Sequence, residues 1–194
     1  MLETSLLILT VTLIGVISLN MLGNMNRIGW LIWLLFFVLT AFLPHSDKLT
    51  VKEIISVLGS IICLLGYLYW SSSKAENIKR ITWSKSSSLI AFIFFIIIGA
   101  EIFVHFRKYS DSPIFESIGG SSLIVAMAML AYRKVAAWFV LIYSFLMYTI
   151  MYAITKNPLM TMEYLVFLAW SIFCSKIFIS HYETKEIGNM KIKR

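Results

Sequence analysis

Apolar residues run through this chain in long blocks separated by short polar breaks, at 5–23, 28–44, 50–70, 87–105, 115–132, 136–154 and 160–180. Each block holds about 17 to 21 residues, enough at 1.5 Å per residue to cross a hydrocarbon core of about 30 Å. The pattern predicts seven transmembrane helices. The breaks Pro44-His45-Ser46-Asp47 and Lys156-Asn157-Pro158 carry turn chemistry, so spans two and three, and spans six and seven, are expected to be antiparallel hairpins.

The chain also repeats itself. At an offset of 108 residues Met21-Leu22 falls on Met129-Leu130, Trp30 on Trp138 and Phe37 on Phe145. Two similar helical halves in a small chain are a common way to build a path between bundles, with a site near the bilayer midplane. The seven spans then divide as three, one and three, because an odd linker helix is what puts two like bundles in the same orientation. The expected fold is an all-α membrane protein of two parallel three-helix repeats. Residues 1–70 would form the first bundle, 71–114 a loop, linker helix and second loop, 115–180 the second bundle, and 181–194 a solvated tail. Cys63 and Cys174 lie 111 residues apart in spans three and seven, which reads as packing on equivalent helices and not as a disulfide or metal pair.

Composition agrees: hydrophobic residues make up 59% of the chain, charged residues 14%, and the mean hydropathy is +0.83. Placing the N-terminus outside leaves Arg27, Lys74, Lys79, Arg80, Lys85, Arg133, Lys134, Lys176, Lys185, Lys191, Lys193 and Arg194 on the cytoplasmic side, against Lys48, Lys52, Arg107, Lys108 and Lys156 outside. Positive charge is retained preferentially in cytoplasmic loops, so this orientation is the expected one. It also accounts for the net charge of +7 without a nucleic-acid partner, membrane lipid being the polar surface those cations meet.

Candidate chemistry follows from helix faces. Positions i, i+3 and i+7 share a face, so Trp30, Trp33 and Phe37 form one stripe, and Trp138, Leu141 and Phe145 form its repeat partner. Two such stripes could sandwich a flat ring. On span three Glu53, Ser56, Ser60, Cys63 and Tyr67 gather the polar side chains on one face; on span seven Glu163, Trp170 and Cys174 share another. A carboxylate within the membrane is a functional candidate, which singles out Glu163. Ser56, Tyr143 and Glu163 would supply polar contacts. Glu101 and His105, one turn apart, are expected to pair structurally, and Asn20 and Asn26 to cap or join helices. No metal-ligand spacing, phosphate loop or catalytic triad is present in the sequence, so neither an enzyme, a metal site nor a cofactor is expected.

Ser122-Leu123-Ile124-Val125-Ala126-Met127, Arg133-Lys134, Trp138 and Met162-Glu163-Tyr164-Leu165 together resemble the closing half of the PnuC family of bacterial vitamin transporters, and Gly66-Tyr67-Leu68-Tyr69-Trp70 is similar to the end of its third helix. The resemblance implies a fold related to the SWEET sugar transporters. It further implies facilitated diffusion of nicotinamide riboside or a related vitamin across the bacterial cytoplasmic membrane, trapping by a cytoplasmic kinase, and often a homotrimer. The family's sixth-helix frame Trp-x-x-Trp-x-x-x-Asn reads Trp138, Leu141 and Phe145 here, its third-helix Gln falls near Ser56, and its seventh-helix Asn near Phe173. Those exchanges leave the exact substrate open, since buried amides discriminate strongly. A thiamine- or riboflavin-type transporter, the substrate-capture subunit of an energy-coupling-factor importer, and a holin-like scaffold are the rival readings.

Overall fold

The computed structural model describes residues 2–41, 51–72, 85–108 and 112–192, and every regular element among them is helical. The elements are α1 (Leu2–Gly23), α2 (Ile28–Ala41), α3 (Val51–Ser71), α4 (Lys85–Phe106), α5 (Pro113–Ala131), α6 (Ala136–Ile154) and α7 (Pro158–Ile192). Five of them, α1, α3, α5, α6 and α7, are long and apolar enough to cross a membrane. The described parts of α2 and α4 add shorter apolar segments, Ile28–Ala41 and Phe92–His105. Residues 42–44, expected to complete span two, and the Pro44-His45-Ser46-Asp47 turn lie outside the described residues. The helix of span seven does not stop near residue 180: it continues to Ile192, carrying the expected tail with it.

The repeat is visible in the turns. α1 ends where Met25 takes a left-handed backbone (φ 59), and α5 ends where Arg133 does the same (φ 54). In the first turn the N–H of Met25 reaches the carbonyl of Leu22 at 3.0 Å and that of Asn26 reaches Met21 at 2.8 Å. In the second, Arg133 reaches Leu130 at 2.8 Å and Lys134 reaches Met129 at 3.1 Å. Each partner is displaced by the same 108 residues. This double bond pattern closes the orphan carbonyls of a helix end and reverses the chain. Asn26 Oδ1 then accepts the N–H of Ile28 at 3.0 Å to open α2. A third turn of this kind, at Lys156 (φ 55), leads into α7, where Asn157 Oδ1 accepts the N–H of Met160 at 3.2 Å ahead of Pro158.

Packing closes a ring. α1 contacts α2, α2 contacts α3, α3 contacts α5, α5 contacts α6, α6 contacts α7, and α7 returns to α1; α4 packs on the outside of α5. The two seams between halves, α3 on α5 and α1 on α7, are related by the repeat. Within halves, polar groups bond across helices where no water would meet them. Ser18 Oγ donates to the Gly29 carbonyl at 3.0 Å, and Ser144 Oγ donates to the Gly119 carbonyl at 2.8 Å. The apolar residues left exposed, such as Leu9, Leu68, Phe94 and Phe139, form the rim that the bilayer covers. Cys63 and Cys174 are free and fully buried. His105 Nδ1 lies 3.3 Å from a Glu101 carboxylate oxygen on the exposed end of α4.

Candidate functional site

Inside the ring is a cavity of about 50 Å³ lined by Gly15, Leu19, Trp33, Phe36, Phe37, Thr40, Ile55, Ser56, Leu123, Phe145, Tyr148, Met160, Glu163, Tyr164 and Phe167. It lies where the repeat axis must pass. Gly15 and Leu123, Phe37 and Phe145, and Thr40 and Tyr148 are pairs 108 residues apart, and Ser56 and Phe167 differ by the 111 that separates the two cysteines. Equivalent positions of both halves therefore face one space.

Its walls are mainly aromatic. Phe145 stacks on Phe167 at 5.4 Å, Phe36 meets Phe167 edge-on at 5.6 Å, and Trp33 stacks on Phe37 at 6.0 Å. Tyr148 and Tyr164 stack at 4.8 Å, and Tyr152 extends that stack at 5.3 Å from Tyr164. Glycines admit the rings: a Cβ on Gly59 would stand 2.7 Å from Phe37, and one on Gly15 2.6 Å from Phe167. Polar groups are few: Thr40, Ser56, Glu163 and the two tyrosines. Thr40 Oγ1 is already committed to the Phe36 carbonyl at 2.7 Å. Glu163 is 9% exposed, so its carboxylate is withdrawn from bulk solvent.

The sequence-derived candidates divide in two. Trp33, Phe37, Ser56, Phe145 and Glu163 line the cavity. Trp30, Leu141, Trp138, Tyr143 and Trp170 do not. Trp30 is fully buried one turn below Trp33, laid on Gly66, where a Cβ would stand 2.7 Å from its ring. Its repeat mate Trp138 is equally buried against Phe178 at 5.8 Å, and Leu141 is buried on the same stripe. Both indoles thus serve helix packing in this structure. Tyr143 is 43% exposed on the outer face of α6, five residues on from Trp138 and off its stripe. Trp170 is half-buried at the edge of the core and packs against Phe173 at 5.3 Å, outside the cavity.

Phe36, Tyr148, Tyr164 and Phe167 were not among the candidates. The sequence carries a signal for the last three: steps of three and four take the α6 stripe from Trp138 through Leu141 and Phe145 to Tyr148 and Tyr152, and the α7 stripe from Tyr164 through Phe167 and Ser171 to Cys174 and Phe178.

A family model described as nicotinamide mononucleotide transporter matches residues 5–176. The chain belongs to that family. It is therefore a multi-pass membrane transporter of the PnuC type and not an enzyme. Among solved structures, a crystal structure of the vitamin B3 transporter PnuC superposes with a TM-score of 0.74 at 16% identity, covering 93% of this chain and 83% of the other. At that identity the likeness establishes the fold. No curated protein sequence matches.

Proposed function

We propose that this PnuC-type protein carries a small, flat, unphosphorylated vitamin-like molecule, nicotinamide riboside or a related pyridine or vitamin nucleoside, by alternating access through the axial cavity. The observation that carries the reading is the lining itself: aromatic rings from both halves, Phe37 and Phe145 at repeat-related positions, with Ser56 and Glu163 among a few polar groups. Flat rings stack on such walls, each well-placed contact contributing about 0.5 to 1.5 kcal/mol. Among the described residues the lining includes a carboxylate and no Lys, Arg or His. A phosphate group would find no counter-charge among them, which favours a riboside over a nucleotide.

At about 50 Å³ the cavity is well below the roughly 300 Å³ at the low end of small-molecule sites. The described form is closed, and loading requires the halves to part. The charge distribution of the loops supports an outer N-terminus and a cytoplasmic C-terminus in a bacterial inner membrane. Trapping of the product by a cytoplasmic kinase, and assembly as a homotrimer, complete the reading by family likeness.

A second reading, a thiamine- or riboflavin-type substrate, is favoured by one observation. Phe145 presents a ring to the cavity where the family's frame has an amide, and so removes a partner for a carboxamide. A thermal-shift screen of the purified protein against nicotinamide riboside, nicotinamide mononucleotide, thiamine, riboflavin and pyridoxine separates the readings, since a ligand that binds only the folded form raises its melting point. The proposal expects a rise with the riboside and none with the mononucleotide. A rise with thiamine or riboflavin alone selects the second reading.

A further inference from the structure

Alternating access requires the two halves to separate, and the two seams between them are built differently. At the α3/α5 seam Trp70 Nε1 donates to the carbonyl of Ala131 at 2.8 Å. Ala131 is the last residue of α5, so this carbonyl belongs to the final turn that the helix itself leaves unpaired, and Trp70 caps it from the other half. The left-handed backbone of Arg133 carries its guanidinium over the Trp70 ring, 4.7 Å from the centroid. Tyr132 meets Tyr69 edge-on at 5.3 Å in the same layer, and Trp30 braces Trp70 edge-on at 5.7 Å.

The repeat-related place at the α1/α7 seam keeps only the bracing indole, Trp138 for Trp30, and lacks the donor, the cation and the tyrosine pair. Met25 stands at the position of Arg133, and the residue 111 after Trp70 is the exposed His181. There Gly23, the counterpart of Ala131, backs directly on α7: a Cβ on it would lie 2.9 Å from Cys174 Cβ and 3.3 Å from its Cα. Close backbone contact of this kind holds by dispersion over a short distance and has no directional bond to break.

We propose that Trp70 and Arg133 form a clasp that releases the α3/α5 seam during the transport cycle, while the α1/α7 seam at Gly23 and Cys174 stays closed as the hinge. A directional hydrogen bond and a ring contact can be made and unmade as units, whereas separating Gly23 from Cys174 would open a void along two helices. The path to the Met25 and Arg133 end of the bundle is then on the α3/α5 side. This rests on the transport reading for its purpose, but its geometry and its test need no substrate.

The two native cysteines report on the two sides. Cys63 lies on the buried stripe of α3 two turns before Trp70, and Cys174 lies in the opposite seam. In permeabilised membrane vesicles, labelling by a small thiol reagent is followed in chains that keep one cysteine, the other being replaced by Ala. Trp70→Phe, which keeps the ring and removes the donor, is expected to raise Cys63 labelling about fivefold, the factor that one lost hydrogen bond gives. Arg133→Met, which installs the residue that the equivalent turn already carries, is expected to raise it in the same direction, and Cys174 should be unchanged in both. Unchanged Cys63 labelling in both variants, or an equal rise at the two cysteines, overturns the proposal. Because no ligand enters the assay, failure of the clasp and failure of the substrate reading are separate results.

Discussion

Met25 and Arg133 occupy the same left-handed backbone conformation, φ 59 and 54, at turns 108 residues apart. Neither is the glycine that such a position favours, and a side chain there costs about 1 to 2 kcal/mol. Met25→Gly is expected to stabilise the protein by up to about 1 kcal/mol. Arg133→Gly relieves the same strain but gives up the contact with Trp70, about 0.5 to 1 kcal/mol, and should be close to neutral. Melting points of the two purified variants check this; equal gains would mean that the Arg133 contact contributes nothing.

Gly59 and Gly66 carry the rings of Phe37 and Trp30 on α3. A methyl group at either would stand 2.7 Å from an aromatic carbon, closer than packing allows. Gly59→Ala and Gly66→Ala are expected to destabilise by about 1 to 3 kcal/mol each, seen as a lower melting point. Gly99→Ala, with its nearest atom at 3.3 Å, is the control expected to lose far less.

Trp33 and Trp138 should respond differently to truncation. Trp138 is fully buried outside the cavity, so Trp138→Ala is expected to cost about 3 to 5 kcal/mol of stability. Trp33 faces the cavity, and Trp33→Leu should weaken ligand binding by about 1 kcal/mol, a factor of about five, with a smaller loss of stability. Parallel titrations and melting curves on both variants decide the assignment. Normal affinity in Trp33→Leu would remove it from the site.

Much of the architecture was legible because membrane helices announce themselves by length and apolarity, and the repeat by Trp and Phe at fixed offset. The turns were less so. The left-handed positions after α1 and α5 hold Met25 and Arg133, which carry none of the glycine signal by which such turns are read, whereas Asn157-Pro158 marks the third, at Lys156. Within the site, helical spacing gives a face but not a depth along it. Trp30 and Phe37 share a stripe, yet seven residues, about 10 Å of helix, separate a ring packed on Gly66 from one that meets the cavity. On α7 Glu163 shares the buried face with Phe167, Ser171 and Cys174, whereas Trp170, a step of seven from Glu163, falls at its half-buried edge. Tyr148 and Tyr164 lie on such stripes of the α6/α7 hairpin, and they line a cavity because α2 and α3 supply its other wall.

Transport by the isolated chain tests the central claim most directly. Purified protein in sealed liposomes, with no ATP and no ion gradient, should take up labelled nicotinamide riboside or thiamine saturably, and Trp33→Leu should raise the half-saturating concentration about fivefold. Uptake that appears only when a partner ATPase is added would make the chain a capture subunit. No saturable uptake of any flat vitamin, by protein whose melting curve shows it folded, would contradict the account.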